Sequence, residues 1–453
     1  MPELRACNLA SSNQMKLLPR RAPVRQHQDK APGQLRKYCK WILWAVLTIY
    51  LFFSTSSSTT TSSLFRPPPL RAILPLKITP RAITETSHEL SSPPSSASSS
   101  IRIYVYELPS SYNRDWLSNP RCGNHLFAAE VAIHEALLQF PGRVFDPNEA
   151  DFFFVPVYVS CNFSTPNGFP SLHNARPLIS SAVDFISTGL PFWNRSRGRD
   201  HVFVASHDFG ACFHAMEHVA IAEGIPEFME ESIILQTFGV SSPHPCQRAE
   251  HVLIPPYVTP DIEEQWPAPE KAKRDIFAYF RGKMEIHPKN ISGRFYSRRV
   301  RTEIWRRYAG NSKFYLQRKR LDDYRAEMAR SVFCLCPLGW APWSPRLVEA
   351  VALGCVPVII ADGIRLPFQE SVRWTEISVS VAEADVGRLE EALDRVAATN
   401  LSAIQRNLWD PALRRALLFQ RPMAAGDATW HALRELEGKL ERSWRRHRSA
   451  EAR

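Results

Sequence analysis

From residue 101 onward, apolar positions fall into short blocks parted by polar turns. IRIYVYEL (101–108) alternates with period two, which predicts a strand. Continuous Val/Ile/Phe-rich blocks predict buried strands at 151–160, 201–210, 232–240 and 251–258, and a helical stretch spans His125 to Gln139. Residues 259–273, with Pro260, Pro267 and Pro269 among acidic residues, read as a linker. A second set follows it: strand 274–283, helix 295–308, strand 313–317, helix 321–330, strand 331–339, helix 344–354, strand 355–360 and helix 386–397. Repeated strand–helix alternation implies parallel sheets joined by right-handed crossovers. The expected fold class is therefore α/β, with two doubly wound Rossmann-type lobes, 101–260 and 274–430, and a cleft between them. Ligands in such sheets bind beyond the carboxyl ends of the strands.

The first hundred residues follow a different pattern. Trp41 to Phe65 holds no charged residue, and Trp41 to Phe53 is almost wholly apolar. A bilayer core takes about 20 residues of helix, so the span needs neutral Ser and Thr to complete it, and it is placed at 41–60. The competing reading is a cleaved signal peptide, but a basic segment of 40 residues precedes the apolar run, and no clear small-x-small cleavage site follows it. Arg36, Lys37 and Lys40 flank the span and predict a cytosolic N-terminus, hence a lumenal body with type II topology. Residues 61–100, rich in Ser, Thr and Pro, read as an extended stem. Four Asn-x-Ser/Thr sequons follow, at Asn162, Asn194, Asn290 and Asn400, and agree with a lumenal address. So do seven cysteines beyond the span. Cys122, Cys161, Cys212 and Cys246 allow three pairings among which the sequence does not choose. Cys334 and Cys336 share one face of a strand, where they are poorly placed to bond each other and are expected to pack in the core.

Charge refines the class. The chain carries 56 Lys+Arg against 45 Asp+Glu, a net +11. Residues 1–40 hold nine basic and two acidic residues, and 439–453 hold six and two. Residues 41–438 are therefore neutral, which argues against nucleic-acid binding by the folded body. The basic segment 431–453 reads as a loose C-terminal tail.

The densest chemistry lies in SVFCLCPLGWAPWSPRLVEAVALGCVPVIIADGIRLPF (331–368). Ser344 is an N-cap residue type, Pro345 suits the first helical position, and Gly354 suits the position just past the helix end. The start of this helix follows a strand, where free N–H groups meet an anion. Arg346 in its first turn suits a phosphate, and Glu349, three residues on, suits a ribose diol. Phosphate then ribose along one helix face is what a sugar-nucleotide requires. The plainer reading is a surface ion pair.

This segment, with Arg346, Glu349, Gly354 and Pro357 in the expected places, resembles the nucleotide-sugar signature of the exostosin-like glycosyltransferases. YVYELP (104–109), DFFFVPVY (151–158), SHDFG (206–210) and FRGKMEIHPKNISGRFYS (280–297) extend the resemblance over about 101–400, closest to the plant branch linked to glucuronoxylan synthesis in secondary walls. The resemblance implies a GT-B-like fold, a Golgi membrane address and inversion at the anomeric carbon, with a UDP-sugar co-substrate and no cofactor or bound metal. No Asp-x-Asp occurs in the chain to carry a metal–diphosphate clamp. Without a metal, Arg346, and after it Arg281 and Lys283, are the candidates to hold the leaving UDP. Asp362 and Gly363 are expected to line the sugar pocket, with Arg365 a candidate for a glucuronate carboxylate by position. The base is expected from the first lobe, at His207 and Asp208, with Glu107 and Glu130 as rivals and a turn-forming role as the plain alternative. Trp340 and Trp343 are candidates to line the cleft, and Trp193 is a further candidate for sugar stacking.

The expected acceptor is a xylan-type polysaccharide, with other Golgi glycosyltransferases as possible complex partners. Two other functions compete with glucuronate transfer: xylosyl or galactosyl transfer, and a non-catalytic scaffold of a xylan synthase complex. A third, of another class, rests on His214, Glu217 and His218, whose HAMEH spacing matches an H-x-x-E-H zinc motif if both histidines share a helix face.

Overall fold

The computed structural model describes residues 101–161, 174–214, 216–284, 296–318 and 323–451. The segments 1–40, 41–60 and 61–100 and the sequons at Asn162 and Asn290 lie outside the described residues. Among the described residues, no helix is long and apolar enough to cross a membrane.

The first sheet contains β1 (Ile103–Val105), β2 (Arg143–Val144), β3 (Phe152–Phe154), β4 (His201–Ala205), β5 (Ile233–Gln236) and β6 (Val252–Leu253). Their order is β2-β1-β3-β4-β5-β6, and every pairing is parallel. The second contains β7 (Ile276–Arg281), β8 (Phe314–Gln317), β9 (Ser331–Pro337), β10 (Val356–Ile360) and β11 (Val379–Ser380), also all parallel, in the order β11-β10-β9-β7-β8. Two parallel sheets wrapped in helices meet the Rossmann-type, GT-B-like expectation.

The unbroken apolar strands follow from burial on both faces. Along β3, Phe152 and Phe154 join a core containing Ile133 and Leu137 of helix Ala129–Leu138, while Phe153 turns to a second core containing Ile179, Val183 and Ile186. Those last three lie on helix Ala175–Gly189, which the sequence reading passed over although its apolar residues repeat every three or four positions. Removing a ring such as that of Phe153, which is fully buried, costs about 3–5 kcal/mol.

The strands are shorter than predicted. Pro156 cannot extend the ladder beyond β3, and Pro255 follows β6 closely. The apolar residues past these points stay buried but belong to the loops that follow the strands.

The supposed tail from 431 begins instead inside helix Ala428–Glu451. Ala432, Leu433 and Leu436 recur at helical spacing and are buried, and beneath them lie Ile103, Phe154, Val202 and Leu235 of the first sheet. The charge count concealed this apolar stripe.

Three disulfides are present: Cys122–Cys161, Cys212–Cys246 and Cys334–Cys355, with Cα separations of 4.9, 4.9 and 5.8 Å. Cys334 and Cys336 do not bond each other, as their shared face dictated. Cys334 is not simply packed in the core, however, because parallel pairing of β9 with β10 brings it to Cys355. Cys336 remains a buried free thiol.

The strand orders locate the ligand crevice. From β7 the chain goes to β8 on one side and then to β9 on the other, so the order reverses between β7 and β9. In the first sheet the same reversal falls between β1 and β3. Crevices form at the carboxyl ends of such strand pairs.

Candidate active site

The loop after β9 leads into helix Arg346–Ala352. Ser344 Oγ accepts from the Arg346 backbone N–H at 3.3 Å, and the Leu347 N–H bonds the Ser344 carbonyl at 3.1 Å, so Ser344 serves as the N-cap. Gly354 closes the helix with φ +66°, where a Cβ would meet Pro269 at 2.3 Å, so only glycine fits. The helix has seven residues, too few for its dipole to carry an anion site, and the side chains must supply the charge.

Arg346 is 6% exposed. Its guanidinium lies 4.8 Å over the Phe280 ring and donates to the Arg281 carbonyl at 2.9 Å and to Ser344 Oγ at 3.2 Å. Its Nε–H has no hydrogen-bond partner among the described residues. Gly282 makes this approach possible, since a Cβ there would come within 2.3 Å of an Arg346 terminal nitrogen. Glu349, on the next turn, is 7% exposed. The Tyr324 hydroxyl donates to its Oε2 at 2.7 Å, and Arg325 Nε stands 3.9 Å from its Oε1. The plain reading of Arg346 and Glu349 as an exposed surface pair is therefore excluded.

Arg281 is placed differently. Period two along β7 points Tyr279 and Arg281 to one face and Phe280 to the other. Arg281 forms a forked ion pair with Glu327, one bond measuring 2.7 Å, and Tyr279 and Tyr315 donate to the same carboxylate at 3.1 and 2.8 Å. Its guanidinium is committed to this buried network, and only its carbonyl reaches Arg346. Lys283 is exposed, with Nζ 4.7 Å from the Tyr296 ring and 5.5 Å from the Trp340 ring.

Asp362 is exposed, and its carboxylate accepts from the Glu383 N–H at 3.0 Å while its own N–H donates to Glu383 Oε1 at 2.8 Å. Gly363 accepts from the Ser241 N–H at 2.7 Å, and Arg365 N–H donates to the Gly239 carbonyl at 2.9 Å. With the Val240–Ile364 bridge, these contacts stitch the loop after β5 to the loop after β10. Asp362 and Gly363 thus serve lobe contact and loop shape here.

On the first lobe, Asp208 follows β4 and is half-buried. Its setting is concave enough that burial pushes its carboxyl up to about 6, an effect that the Trp343 indole N–H partly offsets. That buried N–H has no hydrogen-bond partner of good geometry among the described residues. Trp343 comes from the second lobe, packs 5.9 Å from Phe127 and belongs to a cluster with Phe209 and Phe238, so the lobes meet beside Asp208. His207 is fully buried 4.5 Å from the Phe127 ring, and burial holds its imidazole down to about 3, neutral at working pH. Glu130 is 2% exposed, and its Oε1 accepts from the N–H groups of Ser160 and Cys161 at 2.8 and 3.2 Å. Burial pushes its carboxyl well above the usual range. Glu107 is exposed beyond β1.

The aromatic candidates separate. Trp193 is buried against His201 and Phe203, Trp343 is buried at the lobe junction, and Trp340 is 45% exposed. The HAMEH geometry fails, because helix Glu217–Glu223 begins after His214, which leaves only His218 on it. Among the described residues, no cluster of three or more His, Cys, Asp or Glu is placed to hold a metal ion. Asn194 and Asn400 are both exposed.

Sequence reasoning missed Arg301, Tyr324 and Glu327. Arg301 is 4% exposed and holds the carbonyls of Leu338 and Pro337 at 3.0 and 3.1 Å. Its signal was faint: a basic residue on the apolar side of a predicted helix.

Residues 97–396 match the family described as the exostosin GT47 domain. A probable glucuronosyltransferase of Oryza sativa subsp. japonica is 66% identical over 348 residues, 77% of this chain and 82% of that protein. A probable glucuronoxylan glucuronosyltransferase of Arabidopsis thaliana is 59% identical over 421 residues, 91% of this chain and 89% of that protein. A second probable glucuronoxylan glucuronosyltransferase of the same plant, IRX7, is 58% identical over 431 residues, 91% of this chain and 96% of that protein.

Proposed function

We infer that this chain, which belongs to the exostosin GT47 family, transfers glucuronate from UDP-glucuronate to a xylan-type acceptor with inversion. The observation that carries this reading is the pair Arg346 and Glu349, buried one turn apart at the carboxyl end of β9, beside the strand-order reversal. The Arabidopsis relatives, probable glucuronoxylan glucuronosyltransferases, suggest the donor and the acceptor class.

The chemistry is one in-line displacement. The acceptor hydroxyl oxygen bonds the anomeric carbon as the bond from that carbon to the UDP oxygen breaks. The proton passes to Asp208, and the electron pair leaves on the diphosphate. Asp208 suits the base role because its raised value lies near working pH while it remains reachable from the cleft. His207, held neutral and weakly basic, suits positioning rather than proton transfer. Arg346, whose buried Nε–H has no partner among the described residues, supplies the charge that holds the leaving diphosphate, so the reading requires no metal. Glu349, with Oε2 fixed by Tyr324 and Oε1 facing Arg325 Nε at 3.9 Å, is the acceptor for the ribose hydroxyls.

The lumenal Golgi address, with type II topology through 41–60, is part of this reading. Three disulfides suit an oxidising compartment, and the exposed sequons at Asn194 and Asn400 suit glycosylation there.

The test is a donor screen with the purified full chain, offering UDP-glucuronate, UDP-xylose and UDP-galactose with xylan oligosaccharides. Turnover confined to UDP-glucuronate, with the product's anomeric configuration inverted, is the expected result. Preference for another donor would replace glucuronate in the reading. Failure to bind any UDP-sugar would remove the enzymatic reading and leave the scaffold role.

A further inference from the structure

We propose that Lys283, Tyr296 and Trp340 form the subsite for the donor's uronate ring, the indole taking the face of the pyranose and the ammonium its carboxylate. The proposal rests on the donor reading above and names the part of the site that would recognise it.

The three residues come from two connections at the β7–β9 reversal: Lys283 and Tyr296 from the one that follows β7, Trp340 from the one that follows β9. Lys283 follows Gly282, the residue against which Arg346 packs, so the cation is one residue from the diphosphate clamp. Trp340 lies in the loop between β9 and Arg346. Its ring meets Tyr296 edge-on, centroids 4.9 Å apart and planes at 70°, and Lys283 Nζ sits 4.7 and 5.5 Å from the two ring centres.

The exposed surface rests on a buried frame. Arg301, 4% exposed, donates to the Tyr296 hydroxyl at 2.7 Å, to the Lys283 carbonyl at 3.4 Å, and to the carbonyls of Leu338 and Pro337 below Trp340. The Ser297 N–H bonds the Gly339 carbonyl at 3.0 Å, tying the Tyr296 loop to the Trp340 loop. A guanidinium held this way ties the connection after β7 to the one after β9, yet Trp340 stays 45% exposed. A rigid, exposed indole is suited to the apolar C–H face of a sugar ring. A neutral pyranose would use the indole and ignore the ammonium, whereas a uronate uses both. Arg365, the cation suggested by sequence, lies past β10, which is separated from β7 by β9.

Equilibrium binding of UDP-glucuronate, UDP-xylose and UDP to the full chain tests this, using wild type, Lys283→Met, Lys283→Arg and Trp340→Ala. Xylose lacks the carboxylate but keeps the ring. Wild type should prefer UDP-glucuronate to UDP-xylose by about tenfold, the size of one charge-assisted contact. Lys283→Met should erase that preference with UDP affinity held within twofold, and Lys283→Arg should keep most of it. Trp340→Ala should weaken both sugar nucleotides but not UDP. A parallel loss of UDP affinity in Lys283→Met would assign the lysine to the diphosphate and overturn the subsite. So would unchanged donor affinities in both Lys283→Met and Trp340→Ala accompanied by a raised KM for the xylan acceptor. Turnover measured alongside separates the two levels: a chain that binds as expected but does not transfer glucuronate defeats the function and leaves the subsite standing.

Discussion

Both sheets reverse their strand order once, yet the two reversals are furnished with different side chains: arginines gather only at the second. Around the ends of β1, β3 and β4 stand three carboxylates, Glu107, Glu130 and Asp208, with His207 buried beside the last. Around β7 and β9 stand three guanidiniums, Arg281, Arg301 and Arg346, together with Lys283 and the buried acids Glu327 and Glu349. On the reading proposed above, similar winding furnishes two half-sites, one to accept a proton and one to hold a phosphate. Within each trio, burial and partners assign different work. Arg281 is ion-paired with Glu327 and Arg301 is held by main-chain carbonyls and the Tyr296 hydroxyl, while Arg346 Nε–H has no partner among the described residues. Glu130 is clamped to the turn at Ser160 and Cys161, while Asp208 stays reachable from the cleft.

The sharpest break of this comparison is on the acidic side. Asp208→Asn should lower kcat by about 10³-fold with little change in donor KM, the usual scale for losing a general base. In wild type, kcat/KM should fall on the acid side of about pH 6, tenfold per unit, because Asp208 is protonated there. The variant should lose that limb. Stability runs the other way. The folded value lies above the ordinary one, so the native state binds more protons between about 4 and 6, and ionisation weakens the fold as pH rises through that window. At pH 7.5 Asp208→Asn should therefore melt no lower than wild type, which separates lost chemistry from unfolding. An intact acid limb in the variant would transfer the base role to another group.

The second break contrasts two arginines that look alike in sequence. Arg346→Ala should weaken UDP binding by about 10²-fold, as expected when a charged donor to a phosphate is removed. Arg281→Ala leaves Glu327 buried and unpaired, which costs about 3–5 kcal/mol. In thermal melts, the Arg281 variant should start low but keep the upward shift given by UDP. The Arg346 variant should lose that shift, since the shift reports binding to the native state. Loss of the UDP shift in both would put Arg281 back among the ligand residues.

The same contrast explains what the sequence could convey. Arg346 and Glu349 were legible because both lie on one turn of one helix, where linear spacing equals spatial spacing. The buried strands were legible too, as continuous apolar blocks, although which of the two cores each residue joins was not. The commitment of Arg281 to Glu327 was not, because it joins β7 to a helix 46 residues away. Nor was the encounter of Trp343 with Asp208, which joins the two lobes. Helix Ala428–Glu451 was obscured by its own charges, although Ala432, Leu433 and Leu436 spelled out the buried stripe. Asp362 shows a contact that strand position did not announce: one oxygen of its carboxylate is engaged by the Glu383 backbone.

The smallest effect tests how the legible pair is supported. Tyr324 reaches Glu349 from helix Tyr324–Ala329, and its hydroxyl fixes Oε2 at 2.7 Å, with Oε1 facing Arg325 Nε at 3.9 Å. Tyr324→Phe removes one hydrogen bond to a buried carboxylate without disturbing the ring packing. The loss should appear as a donor KM three- to fivefold higher, about 0.6–1 kcal/mol, with kcat unchanged, because the ribose is bound equally in ground and transition states. Glu349→Gln should do more in the same direction, and the double variant should equal Glu349→Gln alone, since the tyrosine acts only through the carboxylate. Additive losses would mean that Tyr324 touches the nucleotide itself. A lowered kcat with KM unchanged would mean that Glu349 takes part in the displacement rather than in holding the uridine, and the division of labour between the two lobes would have to be redrawn.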